Sequence, residues 1–410
     1  MRILLLSQWF DPEPAIKGMP FVRALIRAGH EVRVLTGFPN YPGGKVYPGY
    51  RIRPWKHEVI DGVRITRVWL YPSHDRSAIG RAANYLSFAF SATVAGLLMR
   101  FKPDVLYVYH PPLTVGAAAA VIGGIRRIPF VYDVQDLWPD TLHATGMINS
   151  GAILRVIGRV ANWVYRRAAI VTAQSPGFVE RLAERGVPRD KIRLVYNWCD
   201  EDSLENGAAN GSIDLRAIDG RFNVIFAGNM GKAQALRSVL DAAALVATRD
   251  VRVQFVFVGG GTEEAALRVE AHARGLSNVV FLPRVEMSEV GQLLAAADVL
   301  LVHLRNSPLF AITLPSKTQA YLFAAKPILM AVSGDATHLV RQAGAGRCTP
   351  PEDAASLADA VVQLAELPAT ERAELGARGR RFYDEFLSLE TGTRHMISAF
   401  EAAVAHEAGT

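Results

Sequence analysis

The chain is nearly without cysteine: Cys199 and Cys348 are the only two in 410 residues. Two thiols make no disulfide framework and match no zinc-ligand spacing, and their scarcity suits a reducing cytosol. No apolar run reaches the 18 or more residues expected of a spanning helix. The nearest, NYLSFAFSATVAGLLM at 84–99, has 16 residues between Arg81 and Arg100. It reads either as a core helix or as a helix lying on a bilayer surface. The N-terminus, MRILLLSQWFDPEP, lacks an A-x-A site and turns acidic after a short apolar stretch. That suits a buried first strand rather than a signal peptide. Also missing are a G-x-G-x-x-G and any nucleic-acid motif, which removes nucleic acid from the expected partners.

What is present is a globular composition, half hydrophobic and one fifth charged. The length suits two or three domains. Charge is divided unevenly: residues 1–200 hold 26 Lys and Arg against 14 Asp and Glu, and the remainder hold 19 against 25. A basic half beside an apolar helix points to an anionic lipid surface as partner.

Strand and helix patterns alternate. MRILLL, a helix over 19–29 and HEVRVLTG form one β-α-β unit, with Gly29 as the helix stop. VLYVYH, TVGAAAAVIGGIRR and FVYDV repeat it. An antiparallel excursion is expected within 40–76. Near 200 the chain becomes polar and aperiodic, and 205–220 reads as a linker. RFNVIFAGNM, VRVQFVFVGGG, NVVFLPR, DVLLVHL and PILMAV, with helices between them, restart the pattern. The expectation is an α/β protein of two Rossmann-like, doubly wound domains, with ligands at the carboxyl ends of the strands.

Candidate residues fall at those strand ends. In the second half Gly228, Lys232, Gly260, Arg284, Leu314, Pro315, Ser316 and Lys317 each follow a strand. Glycines, a helix start that Ser316 could cap, and basic side chains suit a diphosphate. Lys317 stands where the helix dipole disfavours a cation, and a bound anion would remove the conflict. In the first half His110 ends VLYVY, and Gly18 lies ahead of the first helix. VYDVQDLWPD places Asp133, Asp136 and Asp140 at or just past the end of another strand, and any one of them could accept a proton from an incoming hydroxyl. Asp200-Glu201-Asp202 has a metal-binding spacing but opens the polar linker, so no metal site is expected. Cys199 has no basic neighbour and reads as inert.

GHEVRVLTG, YHPPLTVGAAAA, VTAQSPGFVERL, FAGNMG, FVFVGGG, FLPR and LPSKTQAYLFAAKP together resemble glycosyltransferase family 4. The resemblance implies a GT-B fold and metal-independent transfer with retention, from a nucleotide-sugar donor that also makes a cofactor unnecessary. Its implied domains are 1–204 for the acceptor, 221–385 for the nucleotide sugar, and a C-terminal helix, 386–410, packing back on the first. DVQDLWPD and LPSK look most like a bacterial subgroup of L-fucosamine transferases. That implies a UDP-sugar donor, a polyprenyl-diphosphate-linked saccharide acceptor, and a cytoplasmic place at the inner membrane in surface-polysaccharide assembly. His110 matches the histidine near the anomeric carbon, with Asp136 and Lys317 beside it as catalytic candidates. Gly18 lies in the loop that touches phosphate or sugar, Arg284 and Val285 lie at the base, and Pro315 to Lys317 lie at the diphosphate. The sequence departs from the pattern at Asn229 and Gln234, where Arg and Lys are common. It departs again at Ile312 and Ala320, where a glutamate pair is common, and Gln319 stands next to that vacancy. A nucleotide-sugar epimerase of the same fold and a non-catalytic subunit that binds sugar nucleotide are the alternatives.

Overall fold

Runs of consecutive apolar residues, too short for helices and bounded by turns, become strands buried on both faces. This holds for the central strands of each sheet in a computed structural model that describes residues 1–73, 78–207 and 215–408. The chain divides into two units, Met1–Tyr196 with Gly392–Thr410, and Asn197–Thr391. The boundary falls ahead of the expected linker, and residues 208–214 of that linker lie outside the described residues.

The first unit runs β1 (Arg2–Leu6), α1 (Met19–Arg27), β2 (Glu31–Gly37), β3 (Trp55–Ile60), β4 (Val63–Val68), α2 (Ala78–Leu98), β5 (Val105–Tyr109), α3 (Leu113–Arg126), β6 (Phe130–Val134), α4 (Asp140–Ala144), α5 (Gly151–Arg167), β7 (Ile170–Ala173), α6 (Pro176–Glu184) and β8 (Ile192–Leu194). Its sheet has the order β3-β4-β2-β1-β5-β6-β7-β8. Every pairing is parallel except β3 with β4. The antiparallel excursion expected over 40–76 is therefore one edge strand, since β4 runs parallel to β2; residues 74–76 lie outside the described residues. Asp61 and Gly62, both at positive φ, make the tight turn between β3 and β4. Arg67 of β4 is fully buried: it pairs with Glu58 of β3 at 2.5 Å and donates to the carbonyls of Gly37 and Asp11.

The second unit runs α7 (Glu201–Gly207), β9 (Phe222–Asn229), α8 (Arg237–Ala247), β10 (Val253–Gly260), α9 (Glu264–Ala273), β11 (Val279–Leu282), α10 (Val290–Ala295), β12 (Val299–His303), α11 (Pro308–Ala311), α12 (Ser316–Phe323), β13 (Ile328–Ala331), α13 (Asp335–Ala343), β14 (Gly346–Cys348), α14 (Ala354–Glu366) and α15 (Ala369–Phe386). Its all-parallel order is β11-β10-β9-β12-β13-β14. Phe226, Phe257 and Val299 centre a core covered by α8 and α14. A last helix, α16 (Leu389–Ala408), belongs to the first unit from Gly392, where Phe400 packs against Tyr107.

In each sheet the winding direction reverses once, between β1 and β5 and between β9 and β12. Ligands of doubly wound sheets bind in the crevice at such a reversal, beyond the carboxyl ends of the strands. Replacing Arg67 with Met leaves Glu58 with Lys56 as its ion-pair partner and strands the buried carbonyls of Gly37 and Asp11. The expected loss is about 2 kcal/mol or more of stability, read by denaturant titration.

Candidate functional site

Each unit carries one cluster at its reversal. In the second unit, Gly228, Gly259 and Gly261 end β9 and β10 at φ of 132°, 128° and 159°. The strand ends touch so closely that a Cβ on Gly259 would lie 2.2 Å from the Gly228 carbonyl oxygen. A Cβ on Gly228 would lie 3.1 Å from Lys317 Nζ, so the glycine opens the path that this lysine takes inward. The ammonium rests 3.4 Å from the centroid of the Phe226 ring. It is buried with no hydrogen-bond acceptor, and burial brings its pKa down to about 7.

The helix that carries Lys317 starts without a side-chain cap. Pro315 is the N-cap residue, so the cap expected of Ser316 is not formed, and Ser316 begins the helix itself. Leu314 is buried beneath that turn. Tyr321, one turn beyond Lys317, accepts from the Ala227 amide at 3.0 Å and ties α12 to β9. The i, i+4 spacing to Lys317 was the signal for it.

Asn229 lies between Gly231 and Gly261, its Nδ2 and Oδ1 close to where their Cβ atoms would be. Gln234 accepts from the Gly231 amide at 3.0 Å, and its carbonyl accepts from His303 Nδ1 at 2.6 Å. Its amide therefore shapes the loop. Gly260 is half-buried, with Glu264 Oε2 3.2 Å from its would-be Cβ. Lys232 and Arg284 are exposed and Val285 is half-buried. Gln319 is 2 % exposed, its amide within reach of the Pro315 and Ser316 carbonyls. It serves its own helix turn, which leaves it no open face toward a ribose.

In the first unit the three aspartates separate by their partners. Asp133 is buried and accepts from Tyr107 Oη, Gln135 Nε2 and Thr172 Oγ1 at 2.6–2.9 Å. Asp140 pairs with Arg181 and Arg185 at 3.1 and 2.9 Å. Asp136 has neither kind of saturation, and burial raises its carboxyl to about 6. Its main-chain N–H donates to His110 Nδ1 at 3.4 Å, which leaves the ring proton on Nε2. Burial lowers the His110 pKa to about 3, so the ring is a neutral donor across the physiological range.

Gly18 is the N-cap residue of α1, but the space beside it is taken: Asp11 Oδ2 accepts from the Met19 amide at 2.8 Å and would lie 2.5 Å from a Cβ on Gly18. A carboxylate already answers that helix dipole, which disfavours a phosphate there. Glu13, which the sequence did not single out, is buried and accepts from the amides of Asn40 and Tyr41 at 2.7 Å and of Phe10 at 3.3 Å. Asp200 accepts from Ser203, and Glu201 from the Tyr383 hydroxyl and the Leu389 amide. Those oxygens are engaged with neighbouring parts of the chain. Burial pushes the Cys199 thiol up to about 12, consistent with an inert side chain.

Comparison with known proteins matches a glycosyl transferase 4-like domain to residues 19–198 and the glycosyl transferases group 1 domain to residues 221–366. The chain is built of two glycosyltransferase domains. The 4-like domain holds His110 and Asp136, and the group 1 domain holds Lys317. WcaI of Escherichia coli (strain K12), to which glycosyl transfer in colanic acid biosynthesis is ascribed, is 27% identical over 77% of this chain and 80% of its own. WbjE of Pseudomonas aeruginosa, to which glycosyltransferase activity is ascribed, is 25% identical over 76% and 78%. Among solved structures, Anabaena HepE in complex with UDP-glucose superposes with a TM-score of 0.69 at 18% identity, over 98% of this chain and 99% of that one. A UDP-forming α,α-trehalose-phosphate synthase from Burkholderia vietnamiensis gives 0.73 at 14%, over 99% of each. At these identities the likeness is one of fold, and the fold is of the GT-B type.

The lysine in the group 1 domain has a measurable cost. Its folded pKa lies below its ordinary 10.5, so the unfolded chain holds a proton that the fold releases between pH 7 and 10.5. Stability therefore rises with pH across that window. Lys317→Met is expected to raise the melting midpoint of the ligand-free protein by about 2–4 °C at pH 7, with the gain fading toward pH 10.

Proposed function

We propose that the protein is a retaining, metal-independent glycosyltransferase. It moves a sugar from a UDP-sugar to a polyprenyl-diphosphate-linked saccharide, in the assembly of O-antigen, capsule or exopolysaccharide at the cytoplasmic face of the inner membrane. N-acetyl-L-fucosamine or another N-acetylhexosamine is the proposed sugar. The carrying observation is the Lys317 ammonium, buried without an acceptor beside Gly228 at an uncapped helix start. A diphosphate supplies the acceptor, the anion for the dipole and the counter-charge at once. The UDP and UDP-glucose complexes of HepE support the choice of nucleotide. The colanic acid and O-antigen assignments of WcaI and of an Escherichia coli mannosyltransferase support the choice of pathway class.

In the reaction the bond from C1 of the sugar to the β-phosphate oxygen breaks. A bond from C1 to the acceptor oxygen forms on the same face. The acceptor proton passes to the released phosphate oxygen, and Lys317 with the amides at the start of α12 carries the charge that develops there. His110, as a neutral Nε2–H donor, holds a sugar hydroxyl, and the Asp136 carboxylate steadies positive charge at C1. Gly228, Asn229, Lys232, Gly260, Arg284, Val285, Leu314, Pro315 and Ser316 remain proposed contacts, and for Gly18 the proposal narrows from phosphate or sugar to the sugar alone. For Gln234 and Gln319 the proposal changes to shaping the loop and the helix turn.

The membrane part of the reading rests on α2. Its outward row Ile79, Leu86, Phe90, Val94 and Leu98 is exposed, to 82%, 70% and 71% at Ile79, Phe90 and Leu98, and Val121 and Ile125 of α3 are exposed as well. Arg100, Lys102 and Arg127 lie at the ends of these two helices, so the apolar row has the cationic border that an anionic leaflet attracts. No described helix is long and apolar enough to cross a membrane.

Two measurements test this. Calorimetry with UDP should show at least ~10-fold weaker binding for Lys317→Ala. For the parent it should show uptake of nearly one proton per UDP at pH 8, since a free pKa of about 7 rises when the anion binds. Equal affinity in the variant, or no proton uptake, refutes the diphosphate role. Second, the parent should sediment with phosphatidylglycerol vesicles but not with phosphatidylcholine vesicles. A Leu86→Glu, Phe90→Glu double variant should stay in the supernatant while its UDP affinity is unchanged.

A further inference from the structure

Three buried amide side chains meet under the loops at the first unit's reversal. Gln8 Nε2 donates to Asn84 Oδ1 at 2.5 Å, and Asn84 Nδ2 donates to Asn40 Oδ1 at 3.3 Å and to the Tyr71 carbonyl at 2.7 Å. All three residues are at most 1 % exposed. They come from three separate pieces of chain: the end of β1, the loop after β2, and α2. In each piece the next residue is a half-exposed aromatic: Trp9, Tyr41 and Tyr85. Glu13 fixes the Asn40–Tyr41 turn from the other side through both main-chain amides.

These rings form two contacting pairs, the second of which reaches the loop that carries Asp136. Trp9 and Tyr41 stack at 4.5 Å with 28° between their planes. Tyr85 lies 6.2 Å from Trp138, and Trp138 lies 5.6 Å from His110. Burial raises the Tyr41 phenol, and the Asp136 charge raises it further. Burial also raises the Tyr85 phenol, with Arg81 opposing and Tyr41 and Asp136 adding. The amide knot, in which the residues preceding Trp9, Tyr41 and Tyr85 bond to one another, brings those three rings to one part of the unit. Hydrophobic side chains alone would hold these loops as well. A buried polar knot fixes one geometry because its amides bond to one another and to the Phe38 and Tyr71 carbonyls, with only Gln8 Oε1 left without a partner. Half-exposed aromatic faces beside one unsaturated carboxylate have the make-up of a site for a ligand with an apolar face and polar edges. A pyranose ring is such a ligand: its axial C–H bonds make one face apolar, and its hydroxyls are donors to a carboxylate.

The geometry points to Trp9, Tyr41, Tyr85 and Trp138 as a stacking platform for a pyranoside, with the Gln8–Asn84–Asn40 knot as its positioning device. The platform rests on the proposed transfer reaction only for its role, as the seat of the acceptor saccharide; the binding of a pyranoside is independent of the donor.

The experiment uses saturation-transfer NMR on the full chain without nucleotide. The probes are methyl pyranosides of glucose, galactose, mannose, fucose and N-acetylglucosamine. At least one should bind at millimolar level, with saturation strongest on the C–H protons of one ring face. Tyr85→Ala and Trp138→Ala should each weaken it at least fivefold, while Tyr85→Phe, which keeps the ring, binds as the parent does. Lys317→Ala should leave it unchanged, so a failed donor site and a failed platform give different patterns. Absence of binding by every pyranoside, or binding that Tyr85→Ala and Trp138→Ala leave intact, overturns the platform. A folded melting transition and unaltered UDP affinity in those variants keep the comparison valid.

Discussion

A cation held against an aromatic ring without a hydrogen-bond acceptor is the constraint around which the second unit's rim is built. The ammonium of Lys317 gains cation–π attraction from Phe226 but loses its hydration, and the balance is unfavourable enough to bring its pKa to about 7. The positive end of α12 lies beside it, which adds to the conflict. Nothing in the rim relieves this from within. Gly228 and Gly259 let the strand ends close up, Tyr321 ties α12 to β9, and His303 fixes the carbonyl of Gln234. A rigid frame thus holds one charge ready for an anion and pays for that in stability of the empty state.

The first unit treats its carboxylates in the opposite way. Those that are buried or half-buried are almost all satisfied: Asp133 by three side-chain donors, Glu13 by three amides, and the half-buried Asp140 by two arginines. Against that background the Asp136 side chain stands out, next to a histidine kept neutral by burial. A neutral ring donates one fixed hydrogen bond and is insensitive to pH, which suits positioning of a sugar better than proton transfer. In the proposed reaction the acceptor proton passes to the departing phosphate without a protein base.

Much of this was legible in the residues because strand ends in a doubly wound sheet are marked by pattern. VYH, GNM and GGG each close a buried apolar run, and each falls at a carboxyl edge. Lys317 was legible for an electrostatic reason, a cation at the wrong helix end. What escaped were facts about partners. Asp133, Asp136 and Asp140 look alike in a string, and only hydrogen bonds reaching across 26 to 41 residues separate them. Gly18 looked open because a sequence does not show Asp11 folding back on it. Gln319 looked like a ribose contact because burial depends on which way α12 is turned. Glu13 and the amide knot were invisible, since their partners come from loops whose approach no periodicity encodes.

Helix α2 shows how far such ambiguity goes. A helix that is apolar all round belongs in a core or at a membrane, and periodicity alone does not choose. In the fold Asn84, Phe88 and Ala92 face inward, and Leu86, Phe90 and Val94, about 200° further round, face outward with no described residue covering them. The inward face includes one amide of the knot beneath the aromatic rings. The outward face is the apolar row bordered by arginine and lysine. One rigid element therefore reaches both surfaces, so a bilayer that engages Leu86 and Phe90 also fixes the height of Tyr85 above it. A saccharide carried on a membrane lipid projects from that same bilayer. On the proposed reading of acceptor and membrane, its distance to the rings is set by the helix radius rather than by any loop.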